Sequence, residues 1–134
     1  MQMIDPGWKP DVEALRNDPR LPKPTGFKLA VLVPEVQKAT AGGILLPDAA
    51  KDRERLGSML GLVLFKGPDA YTDHRRFPSG PWCEPGDWVI TPPYPAISLE
   101  VDLEGANGQT YRVVFINDDA VSATVGDPRA LKRR

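Results

Sequence analysis

Few side chains in this chain of 134 residues are suited to holding a metal ion or attacking a substrate. His74 is the only histidine, and it lies near Asp69 and Asp73. Zinc sites draw on several nitrogen or sulfur donors, so a single imidazole reads more simply as a solvated loop residue. Cys83 is the only cysteine. A nucleophilic thiol needs a base and an activating setting, and beside Trp82 the simpler reading is a packed, inert thiol. Glu84, Asp87, Asp118 and Asp119 are four acids near turns. Paired carboxylates can do acid/base work, yet Pro85-Gly86-Asp87 and Asn117-Asp118-Asp119 are ordinary turn chemistry. No G-x-G-x-x-G, phosphate-binding loop or G-x-S-x-G occurs. The expectation is a protein with no catalytic residues, no metal site and no cofactor: a binding module.

Size and charge narrow the class further. The length fits one domain and a modest core. A net charge of −1 gives no overall pull toward nucleic acid or a membrane. The basic C-terminal residues Arg129, Lys132, Arg133 and Arg134 read as a solvated tail, so nucleic acid is not an expected partner. A lone cysteine forbids an intrachain disulfide and suits a reducing compartment. No apolar run approaches the ~20 residues of a membrane span. The first ten residues lack the charged-then-apolar layout of a signal peptide. The expected location is the cytoplasm.

Any binding residues must be positioned by short elements, because fifteen prolines and twelve glycines are spread along the chain. Residues 1–26 read as a polar, proline-marked arm with Trp8 as its large anchor. Within it Asp11 to Arg16 predicts a turn or two of helix, started by Pro10 and stopped by Pro19. Phe27 to Val33 reads as a buried strand ended by Pro34. Further strands follow at Leu60 to Phe65, Trp88 to Thr91, Ser98 to Leu103, Tyr111 to Ile116 and Ala120 to Val125. Asn107-Gly108 is a hairpin signal. Residues 66–86 are loop-like. Short strands so spaced predict an all-β fold, a small antiparallel barrel over residues 27–126, with a tail at 127–134. The first and last strands are expected at its edges, open to pairing with other subunits.

The segment between the first two strands stands apart. Ile44, Leu45 and Leu46 follow Gly42-Gly43 and precede Pro47, and residues 48–56 are strongly charged. Consecutive strand residues face opposite ways, so three aliphatics in a row need cover on both sides. One reading is a short buried strand. The other is a peptide that presents apolar side chains to a groove on another protein.

The tract Glu35-Val36-Gln37-Lys38-Ala39-Thr40-Ala41-Gly42-Gly43-Ile44-Leu45-Leu46 resembles the start of the GroES-type co-chaperonins, the chaperonin-10 family. In that family a strand leads through a Glu-Val-containing linker into Ala-Gly-Gly-Ile-Val-Leu. Gly61-Leu62-Val63-Leu64-Phe65-Lys66-Gly67 is similar to the family's Gly-x-Val-x-x-Val-Gly strand. Pro85-Gly86-Asp87-Trp88-Val89-Ile90 is similar to its Val-Gly-Asp-x-Val strand, and Asp119 to Val125 takes the place of its closing strand. The tracts at 80–90 and 116–121 look most like versions carried by tailed bacteriophages. The resemblance covers roughly residues 27–126.

The resemblance implies a partly open GroES-like barrel with a mobile loop and a roof-like loop over residues 66–86. It makes Ile44, Leu45 and Leu46 the edge that docks on a GroEL-type chaperonin, with Gly42 and Gly43 supplying the bend before it. It also implies a homo-oligomeric ring, of seven subunits, capping a chamber that holds an unfolded client such as phage capsid protein. The energetics suit such a loop. Burying one aliphatic side chain yields about 1.5–3 kcal/mol, and ordering backbone costs ~1–2 kcal/mol per residue. A single loop therefore binds feebly, and a ring of loops binds by avidity. The long arm, the long loop and the basic tail depart from the family pattern. They motivate an alternative: a phage virion structural protein, located in the virion, built on a repurposed GroES-like barrel.

Overall fold

The computed structural model describes residues 10–34, 60–93, 95, 97–103 and 109–131. Among them are one short helix, α1 (Val12–Arg16), and six strands: β1 (Lys28–Val33), β2 (Leu60–Lys66), β3 (Trp88–Ile90), β4 (Ile97–Leu103), β5 (Gln109–Asn117) and β6 (Ala123–Val125). The strands form a single antiparallel sheet in the order β4-β5-β1-β2-β3-β6, which is not closed. The all-β expectation is met, and the strand positions agree with the sequence reading to within a few residues.

The place of the first strand does not agree. The sequence reading put Phe27–Val33 at an edge. Instead β1 is interior, with Leu32 paired to Leu62 of β2 and to Val113 of β5. Its composition explains this. Leu29, Ala30, Val31, Leu32 and Val33 are all buried, and a strand apolar on both faces is stabilised where both faces and both edges are covered. The edges among the described residues are β4 and β6. The closing strand is also shorter than expected: residues 118–120 form a 3₁₀ turn, and pairing starts at Ala123.

Each face of the sheet carries a core. Ala30, Leu32, Leu60, Leu62, Leu64, Phe65, Tyr111 and Val113 form the first, and Leu15 and Leu21 from the arm complete it. Leu29, Val31, Val63, Val89, Val114 and Ile116 belong to the second, with Tyr71, Phe77 and Cys83. Between Ala30 and Val31 the β1–β2 register shifts, from Ala30↔Phe65 to Val31↔Val63. Leu64 is the extra residue of this bulge. That is why Leu64 and Phe65, neighbours in sequence, lie in the same core.

The helix forms where the capping signals stand. The Asp11 carboxylate accepts a hydrogen bond from the Ala14 N–H at 3.1 Å, filling one of the donors a helix start leaves open. Leu15, 6% exposed, and Leu21, 3% exposed, anchor residues 10–26 to the sheet. The described part of the arm is thus part of the core.

Candidate functional site

The sequence-predicted docking residues Gly42, Gly43, Ile44, Leu45 and Leu46 lie outside the described residues. The described structure does define the two points from which their segment springs. The chain leaves β1 at Val33 and rejoins the sheet at Leu60 of β2. These strands are antiparallel neighbours, which a two-residue turn suffices to connect. The connection runs instead from residue 34 to residue 59. Both of its roots are fixed: Pro34 and Leu60 are among the fully buried side chains.

On the other face, residues 67–87 between β2 and β3 are packed. The sequence reading treated this stretch as loop-like and Cys83 as a packed thiol. Tyr71, Phe77 and Cys83 are 4%, 2% and 3% exposed, so the packing expected of Cys83 extends to two aromatic rings of the loop. The Tyr71 and Phe77 rings meet edge to face at 4.9 Å, and Phe77 meets Trp82 the same way at 5.0 Å. Trp82 caps the cluster and remains exposed to solvent. The loop starts in close contact with the backbone around the start of β1: Gly67 N–H donates to the Lys28 carbonyl at 2.8 Å, and Asp69 N–H to that of Gly26 at 2.9 Å.

Asp118 holds this loop to the sheet. It is 2% exposed, and its Oδ2 accepts from the Tyr71 N–H at 3.0 Å. The Tyr71 hydroxyl donates back to the Asp118 carbonyl at 2.7 Å. Asp118 N–H in turn donates to the Phe27 carbonyl. Tyr71 sits at a φ of 61°, a left-handed conformation unfavourable for a bulky residue, held by this pair of bonds. Sequence reasoning missed the role and took Asp118 for a turn acid. No local pattern carries the signal, since the partners are 47 residues apart.

The remaining reactive candidates are accounted for by the same packing. The Cys83 Sγ lies 3.4 Å from the Tyr71 oxygen. That hydroxyl has one hydrogen, used on Asp118, so the thiol is the donor. Burial pushes the Cys83 thiol up from its ordinary value and holds it protonated. Burial likewise pushes Tyr71 up from its ordinary value. His74 is exposed, and no cluster of three metal-ligating side chains exists among the described residues. Glu84 and Asp87 make the turn expected of them: Asp87 Oδ2 accepts from the Glu84 N–H at 2.9 Å, and Gly86 supplies a φ of 97°. Asp119 pairs with Arg76 across the loop. No helix of the described residues is long and apolar enough to cross a membrane. No family model matches the chain.

Proposed function

We propose that this protein is a co-chaperonin subunit of the GroES type, whose segment Gly42 to Leu46 docks on a GroEL-type chaperonin. The observation that carries the reading is the connection over residues 34–59. It joins two strands that pair directly, so the sheet has no need of its length. Long connections of this kind are commonly functional. This one contains the Gly42-Gly43-Ile44-Leu45-Leu46 tract and springs from buried roots at Pro34 and Leu60. The resembling tracts support it: Gly61–Gly67 falls on β2, Pro85–Ile90 on the turn into β3, and Asp119–Val125 on the turn into β6. The open six-stranded sheet is compatible with a partly open barrel, completed in a ring of seven subunits around an unfolded client.

The virion-protein alternative draws its support from the terminal segments, which would have to reach neighbouring subunits. Leu15, Leu21 and Pro128 are instead buried in this chain's own fold, which favours the first reading.

The test is the triple substitution Ile44→Ser, Leu45→Ser, Leu46→Ser. The expected outcome is an unchanged thermal midpoint with loss of chaperonin capture in the presence of ATP. Unfolding by the same substitutions would make the three residues core and sink the proposal.

A further inference from the structure

We propose that the groove between α1 and β2 is a docking site for an acidic, partly apolar peptide segment of a partner protein. The groove has a volume of about 630 Å³ and is lined by Val12, Glu13, Arg16, Asn17, Lys23 and Phe65. None of its lining residues belongs to the segment at 42–46, and its docking role does not depend on the co-chaperonin reading.

Its floor is made by the bulge in β2, which turns Phe65 to the same face as Leu64, under α1. Arg16, in the last turn of α1, places its guanidinium carbon 5.7 Å from the centre of the Phe65 ring. Lys23 places its Nζ 5.9 Å from the same centre. Both charged heads thus stand over the one ring, and both residues are exposed to solvent.

Five described basic side chains meet acids: Arg20 with Asp18, Lys66 with Glu84, Arg76 with Asp119, Arg112 with Glu100 and Arg129 with Asp127, while Lys28 donates to the neutral Asn117. Arg16 and Lys23 have no ion pair among the described residues. Two like charges over one ring repel, and a carboxylate that accepts from both relieves the repulsion.

The other lining groups select among anions. Val12, half-buried, offers an apolar contact beside the charge, over the edge of the buried Phe65. Asn17 can donate to and accept from a peptide backbone, and Glu13 can accept from a peptide N–H. A cleft of this volume is in the range of sites that hold organic ligands, and a single inorganic ion leaves most of it empty.

The experiment is a titration of the ¹⁵N-labelled full chain with acetyl-Glu-Leu-Glu-Leu-Glu-amide at low ionic strength. The expected result is saturable shifts at the amides of residues 12–17, 23 and 65. Arg16→Gln or Lys23→Gln weakens binding roughly two- to five-fold, and the double variant about ten-fold or more. Glu13→Gln tightens it, and roughly 0.5 M salt abolishes it. The matching Lys-Leu peptide gives no shifts. Circular dichroism of each variant checks that the sheet is intact. Unchanged affinity in a folded double variant, or shifts centred elsewhere, overturns the proposal. An equal response to inorganic phosphate or to a short oligothymidine overturns the peptide as occupant.

Discussion

A single buried carboxylate, Asp118, does what a strand or a disulfide does in other small folds: it ties a long loop to the sheet. Replacing it with alanine leaves the buried Tyr71 N–H without its acceptor, at a cost of about 1–3 kcal/mol. Tyr71→Phe removes the hydroxyl bond to the Asp118 carbonyl and should cost a similar amount; urea melts of both variants measure this. Burial raises the Tyr71 pKa above its unfolded value. Its contribution to stability is therefore full below about pH 10 and is lost as pH rises beyond it. Phenolate absorbance from Tyr71 should develop only together with unfolding. Cys83, buried and held protonated, should resist iodoacetamide in the native state and react once urea unfolds the chain. Labelling of the folded protein at the rate of a free thiol would contradict the packing described. Asp18 goes the other way. Hydrogen bonds from the Arg20 side chain and backbone hold it at about 2. Its stabilising effect is present above its ordinary value near 4 and lost as pH falls toward 2. A carboxyl titration by NMR should show the low midpoint in the native chain and a return toward the ordinary value in Arg20→Ala.

The sheet shows which elements are legible in sequence and which are not. The apolar runs at 27–33 and 60–65 and the alternation at 98–103 announce strands, because burial on two faces or one leaves a periodic trace. The position of β1 inside the sheet leaves no comparable trace; only its two partners define it, and both lie far along the chain. The bulge at Leu64 is equally silent, since it arises from mismatch between two strands. Gly61 records another such contact. A Cβ there would stand 2.1 Å from the Val31 Cγ1, so Gly61→Ala should destabilise the sheet by about 1–3 kcal/mol. Removing the opposing methyl groups in Gly61→Ala/Val31→Ala should recover part of that loss, whereas a purely conformational effect of glycine would show no recovery. Gly67 faces a backbone atom instead, the Gly26 carbonyl oxygen at 2.3 Å, and no second substitution can relieve it.

At the scale of the whole molecule, residues 10–26 and the sheet are one cooperative unit. Leu21→Ala should cost about 2–5 kcal/mol, and deletion of residues 1–25 should lower the thermal midpoint through loss of Leu15 and Leu21 from the first core. Truncations meant to separate arm from sheet in function must be read with that in mind. The proposed ring is tested by sedimentation velocity: a species of about seven subunit masses is expected, and monomer alone at micromolar concentration would refute it. The candidate docking segment stands out in the sequence because three adjacent aliphatics beside two glycines fit neither a helix nor a one-sided strand, and it lies outside the described residues. The groove under α1 does not stand out, because Arg16, Lys23 and Phe65 meet only when the arm folds back on the bulge. The interior place of β1 also bears on synthesis. Lys28 meets its β5 partner Asn117, 89 residues later. At ~5–20 residues per second, that partner leaves the ribosome roughly five to twenty seconds after β1 does. For that interval a strand buried on both faces in the finished fold has a free edge, and nascent chains arrested before residue 109 should be the ones that aggregate.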